Sequence, residues 1–288
     1  MAVLLGLLAG ITYGTADFLG GLSTKRNPTL RVVVLSQAVG LGVYIVVVPF
    51  LPEGEFTAGA WLWGSLGGLA GAAGVGFLYR GLARGRMSVV APTTAVVFAV
   101  MPVTFGLLTG ERPSALQLTG IFVAILAVAL VSSAPDPPGA ETPAEGTRWQ
   151  RLVRAGFVDA LLSGIGIGLF AIFLAQTGEE TGPWPLVASR IVSIALFGVA
   201  LLVARTGIRP SPGTALTTAG AGALDVTANL FYLLGIRAGL ISIVAVLTSL
   251  YPGATVVLAR TVLGERLSGL QIVGLILALA GVAAIAAG

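Results

Sequence analysis

Long apolar blocks separated by short polar corners set the pattern of this chain. Ten blocks are read, at 2–22, 30–51, 58–79, 87–108, 114–133, 153–175, 183–204, 214–234, 240–259 and 268–287. Each holds about 20 residues, enough for a helix to cross a hydrocarbon core of about 30 Å. The predicted fold class is therefore an all-α integral membrane protein with ten transmembrane helices.

One polar corner is written twice. Residues 110–121 and 264–275 agree at seven of twelve positions at a fixed offset of 154. The same offset matches Gly81 with Gly235, Ser88 with Ser242 and Thr94 with Thr248. An internal duplication accounts for all of these together. The corner has helix–turn–helix chemistry. Gly264 suits the left-handed residue that ends a helix, and Ser268 with Gln271, like Ser114 with Gln117, forms a capping box for the next one. The Glu and Arg between them stay polar, as a turn among lipid headgroups requires. The expected domains are a five-helix half at 1–133, a Pro-, Gly- and Glu-rich linker at 134–152, and a second five-helix half at 153–288. Five is odd, so the second half enters the membrane from the opposite side. The result is a pair of inverted-topology repeats with a site near the midplane.

Composition agrees. Hydrophobic residues make up 56% and charged residues 10% of the chain, with a mean hydropathy of +0.98, against about 25% charged in soluble domains. The first block has no charged leader and no clear cleavage site, and is read as a retained span. Cys and His are absent, which removes disulfides, thiolate and imidazole metal sites and Ser–His catalysis. No metal and no cofactor are expected. The basic isoelectric point belongs to loops and does not signal nucleic acid. The odd-numbered loops hold twelve Lys and Arg, the even-numbered ones only Arg112 and Arg237. By the positive-inside rule the odd loops are cytoplasmic and both termini outside, in a cell (inner) membrane. Trp61, Trp63, Trp149 and Trp184 sit at span ends, where an interfacial belt explains them.

Two five-helix halves, each with a Gly-Glu corner before its last helix, and Tyr251-Pro252 thirteen residues before Glu265, resemble the EamA-type transporters of the drug/metabolite transporter superfamily. The first copy departs from this, with Val97-Phe98 where the second has Tyr251-Pro252. The resemblance implies ten helices and export or exchange of small metabolites. Many relatives keep both termini in the cytoplasm, against the charge count.

Ionisable groups within spans are expensive, about 2.5–3.5 kcal/mol on insertion scales, and each needs a reason. Asp225 is the deepest acid, with Asn229 and Tyr232 on its helical face. It is the candidate for binding a substrate ammonium or carrying a proton, or else a structural acid. Arg190 aligns with Gln37 in the other half. It either binds a substrate carboxylate or pairs with Asp225 or Asp159. Tyr13 and Asp17 share a face at i, i+4, and Asp17 is read either as an interface acid or as a cavity acid. Asp159 is read as a surface acid near Arg151 and Arg154, and Arg31 as a snorkelling anchor. Pro92, Pro102 and Pro252 are expected to interrupt spans four and nine, with Thr94, Thr248 and Tyr251 lining a polar cavity beside the breaks. The expected partners are a small-molecule substrate, membrane lipids and protons; oligomeric state is not readable. No nucleotide-binding loop occurs. The expected function is secondary transport of a small metabolite such as an amino acid, by alternating access around a midplane cavity. A drug, sugar or nucleoside is the alternative, and a channel, a scaffold or a membrane enzyme lies further off.

Overall fold

Both copies of the repeated corner end one helix and start the next by the same devices. Gly110 and Gly264 take positive φ, +104° and +71°. The backbone N–H of Gln117 donates to the Ser114 hydroxyl while its side chain accepts from the Ser114 N–H, and Ser268 with Gln271 repeats this exchange. Two of the orphan N–H groups at each helix start are thereby satisfied.

The computed structural model describes residues 1–51, 54–84, 87–131, 156–264 and 267–288. The helices are α1 (Ala2–Thr24), α2 (Thr29–Val47), α3 (Ala58–Arg84), α4 (Met87–Leu108), α5 (Ala115–Val131), α6 (Phe157–Ala175), α7 (Trp184–Val203), α8 (Ala215–Arg237), α9 (Ile241–Thr248), α10 (Tyr251–Leu263) and α11 (Gly269–Ala287). Among the described residues, eight stretches are helical, long and apolar enough to cross a membrane, one of them formed jointly by α9 and α10. Two shorter apolar helices, Thr93–Leu108 and Ala115–Val131, accompany them. The protein is a multi-pass helical membrane protein. The expected linker at 134–152 and the basic residues Arg148, Arg151 and Arg154 lie outside the described residues, as does Trp149.

The proline expectation holds in one span and fails in the other. α9 stops at Thr248 and α10 begins at Tyr251 with Pro252 in its first turn, where a missing N–H costs nothing. By contrast α4 runs unbroken through Pro92 and Pro102.

Packing repeats at the offset of the sequence, 154 along α1, α3 and α4 and 153 between α2 and α7. α1 lies on α8 and α3 on α6; α2 lies on α8 and α3 on α7; α5 pairs with α11. The close approaches match residue by residue. A Cβ on Gly68 would strike the Ser189 backbone, and one on Gly222 would strike the Ser36 backbone. Gly10 abuts the backbone at Thr248, and Gly164 abuts it at Thr94. Small residues at these crossings let helix backbones touch.

The helix ends fall into two groups. At one end, Arg31 Nε donates to the Gly207 carbonyl (2.5 Å), and Asn27 bonds Thr214 and Ser211. At the other, the Glu55 N–H donates to the Glu180 carbonyl, Trp184 Nε1 donates to the Gly54 carbonyl (2.9 Å), and Arg237 donates to Gly178 and Thr181. Arg31 is thus fastened to a loop and does more than snorkel. Close to this second end the buried core gathers Tyr44, Leu174, Leu186, Tyr232, Leu233 and Val244.

Candidate functional site

Three helices bring the membrane-embedded charges together. α2 and α7 pack on each other and supply Gln37 and Arg190; α8, held against α2 by the Gly222–Ser36 contact, supplies Asp225. Arg190 Nη1 donates to Gln37 Oε1 and Nη2 donates to Asp225 Oδ2 at 2.6 Å. Asn229 Nδ2 donates to the Asp225 carbonyl (2.6 Å) and to its Oδ2 (3.3 Å). The Arg190 side chain is 7% exposed and that of Asp225 34%, so the pair has one buried and one accessible member. The Arg190 guanidinium also lies 5.9 Å from the Tyr44 ring centre, within cation–π range. Gly40, one turn from Gln37, leaves the space: a Cβ there would meet Val226 and come within 3.5 Å of the guanidinium carbon.

α1 supplies the second group. Its Gly6, Gly10 and Gly14 edge lies against α9 and α10, and Ala221 of α8 sits beside Gly20. Tyr13 and Asp17 fall between those two edges. Tyr13 and Tyr251 pack against the core that contains Tyr44 and Tyr232. Asp17 is exposed, and it forms no hydrogen bond or ion pair among the described residues. Asp17 lies within electrostatic reach of Asp225 and of Tyr251, and Asp225 of Tyr13.

The structure thus gathers Gln37, Arg190, Asp225 and Asn229 into one hydrogen-bonded set, with Tyr13, Asp17 and Tyr251 beside it. Tyr232 shares the α8 face but is 2% exposed and sealed in the core. Thr94 and Thr248 do not line a cavity. Both are fully buried, and their hydroxyls donate to the Ala160 and Gly6 carbonyls at 3.3 Å in each case; they tie repeat-related helix crossings. Arg190 pairs with Asp225 and not with Asp159, which accepts from Arg80 at 2.5 and 2.8 Å. Two grooves of about 380 and 310 Å³ lie elsewhere. The first is an apolar cleft among α1, α10 and α11, and the second lies beside Glu179 and Arg237.

Two residues escaped the sequence reading. Tyr44 stands seven residues after Gln37, a helical spacing that places both on one face. Glu111 was assigned to the headgroup region. Its carboxylate instead accepts from the Ile241 N–H (2.5 Å) and the Ser242 N–H (3.1 Å) at the start of α9, favourable for an anion at a helix N-terminus.

The repeat provides an internal control on this chemistry. At the sequence offset, Tyr13, Asp17, Asp225, Asn229 and Tyr251 correspond to Ile167, Ala171, Gly71, Val75 and Val97. Where Asp225 stands near α1, its counterpart Gly71 has the Phe170 ring against it, 3.4 Å from the position of a Cβ. Phe170 in turn corresponds to Ala16. The polar groups therefore occupy one of two related places, and an aromatic ring fills the other.

The described residues thus form a multi-pass helical membrane bundle with a charged set inside it. The family model of the EamA-like transporter family matches residues 1–133 and again 154–287, and the chain belongs to that family. No curated protein sequence matches it. A crystal structure of another protein shares the fold with a TM-score of 0.76, covering 98% of this chain and 95% of the other at 19% identity.

Proposed function

We propose that the protein is a secondary transporter of a small metabolite, working by alternating access between two inverted five-helix repeats in a cell membrane. The observation that carries this reading is the paired packing: each helix crossing around the charged set has a repeat-related partner, yet the chemistry of the two places differs. Ten crossings follow from taking α4 and α5 as spans, each about 20 residues long in the sequence, and α9 with α10 as one broken span. An even number agrees with both termini meeting corners of one end, Ala2 beside Gly239 and Gly288 beside Ser114. Inverted repeats give two interchangeable packings of one sequence, one opening to each side. The closed end is the one sealed by Tyr44, Leu186, Tyr232 and Leu233, so the exposed Asp17 faces the side of the arginine-rich loops. With those loops cytoplasmic, this conformation is open inward, ready to load a solute for export or exchange.

Gln37, Arg190, Asp225 and Asn229 form the floor of the site, and Tyr13, Asp17 and Tyr251 its wall. The Arg190–Asp225 pair bears on the amino-acid expectation. Arg190 is committed to Gln37 and Asp225 and offers no free fork to a substrate carboxylate. Counterflow in liposomes tests the transport reading. Labelled solute should accumulate transiently against unlabelled internal solute and saturate with concentration. Unsaturable flux, or discrete single-channel currents, would remove the transporter.

A further inference from the structure

Resting on that transporter reading, we propose that Asp17 is the counter-charge for an organic monocation, a primary amine on an apolar or aromatic body, held between the Asp17 carboxylate and the rings of Tyr13 and Tyr251.

Three observations point there. The first is charge. The described interior holds two carboxylates, Asp17 and Asp225, against one guanidinium, and Arg190 is taken up by Asp225 at 2.6 Å. Asp17 is the carboxylate left over. An acid in a span is costly without a partner, and among the described residues no partner is within bonding distance. A ligand cation supplies one.

The second is the internal control. Asp17 corresponds to Ala171, which is 1% exposed in the core. The fold therefore accepts a methyl group at this place, and packing does not demand an acid. The same holds for Tyr13 against Ile167 and Tyr251 against Val97. All three departures from the apolar repeat lie beside one another.

The third is space. Next to Asp17 in sequence stands Ala16, where the other repeat carries the Phe170 ring packed on Gly67 and Gly71. The polar place lacks that ring; Ala16 itself is buried, and the accessible group beside it is Asp17.

The aromatic walls also suit a cation through the negative faces of their rings.

The chemistry excludes the alternatives by sign. An anion meets two carboxylates and a guanidinium that is already paired. A zwitterion gains at its ammonium what it loses at its carboxylate. A monocation neutralises the site without requiring a proton on Asp17.

Three labelled probes with one ring and three head groups test this: tryptamine, tryptophan and indole-3-acetate. Binding is measured by equilibrium dialysis of the purified full-length protein in detergent, and transport by counterflow in liposomes. Tryptamine is expected to bind at least about tenfold more tightly than tryptophan, with indole-3-acetate weakest. Asp17→Asn is expected to weaken tryptamine about tenfold or more, the usual order for removing one partner of a desolvated charge pair. Asp17→Glu is expected to keep most of the affinity. Asp17→Ala copies the other repeat and serves as the control for folding. Equal or better binding of tryptophan or indole-3-acetate overturns the assignment. So does undiminished tryptamine binding by Asp17→Asn, or failure of wild-type protein to bind tryptamine. Tryptamine binding without counterflow keeps the cation site and removes the transporter. Saturable counterflow of the zwitterion or anion, with no preference for the amine, keeps the transporter and removes the cation site.

Discussion

Two ion pairs in this protein look alike on paper and differ in worth. Arg80 and Asp159 approach to 2.5 Å, with the arginine 45% exposed; Arg190 and Asp225 approach to 2.6 Å, with the arginine 7% exposed. Exposed pairs are worth about 0–1 kcal/mol. Removing one partner of a buried pair strands the other, at about 3–5 kcal/mol. Asp225→Asn, which strands the 7%-exposed arginine, is therefore expected to destabilise the protein by about 3 kcal/mol, and Asp159→Asn, which leaves the 45%-exposed Arg80 to solvent, by under about 1 kcal/mol. Unfolding in detergent, followed by denaturant or heat, compares the two; equal losses would mean that burial does not set the difference. Neither pairing was decidable from spacing. Arg190 had Gln37, Asp225 and Asp159 as candidates, and the choice depended on which face of α7 met α2 and α8. Gln37 was legible through the repeat, because an aligned position is a statement about sequence. Thr94 and Thr248 misled for a related reason. A threonine near a proline in a span bonds a backbone carbonyl or faces a cavity with the same local sequence, and the neighbouring helix decides which.

Turns and caps were the most legible elements. Gly110, Gly264 and both Ser–Gln capping boxes act within a few residues of themselves, so the sequence contains every partner they need. The break between α9 and α10 was half legible. Proline at the start of a helix is comfortable and in its interior is not, yet α4 absorbs Pro92 and Pro102 without stopping. The role of Glu111 was not legible at all. It crosses from the first repeat to the two leading N–H groups of α9 in the second, a separation of 130 residues to Ile241. Glu111→Ala removes both acceptors together and is expected to cost about 1–2 kcal/mol, as for loss of a helix cap with its charge. Faster hydrogen exchange at the Ile241 and Ser242 amides is the readout. Unchanged exchange there would show that water replaces the carboxylate without loss.

The whole bundle is a doubled packing scheme carrying an undoubled chemistry, and its orientation is open to direct test because the chain has no cysteine of its own. Gly207→Cys reports the end where Arg31 meets the α7–α8 loop, and Glu180→Cys the end where that residue meets Glu55. A membrane-impermeant thiol reagent applied to intact spheroplasts is expected to label Glu180→Cys and spare Gly207→Cys; the reverse pattern would place both termini in the cytoplasm and turn the open side outward. The sequence by itself determined the membrane as solvent, the apolar blocks, the repeat and the chemistry of its corners. Each of these is a property of composition or of residues a few positions apart, and no folding is needed to express it. The tertiary structure alone decided that Arg190 is consumed by Asp225, that Asp17 is left without a partner among the described residues, and that Phe170 packs on Gly67 and Gly71 where the other half has Ala16. Those outcomes depend on which helix faces meet across separations from 35 residues, for Arg190 and Asp225, to about a hundred, for Phe170 and Gly67, where electrostatic attraction falls with distance and packing admits one neighbour at a time.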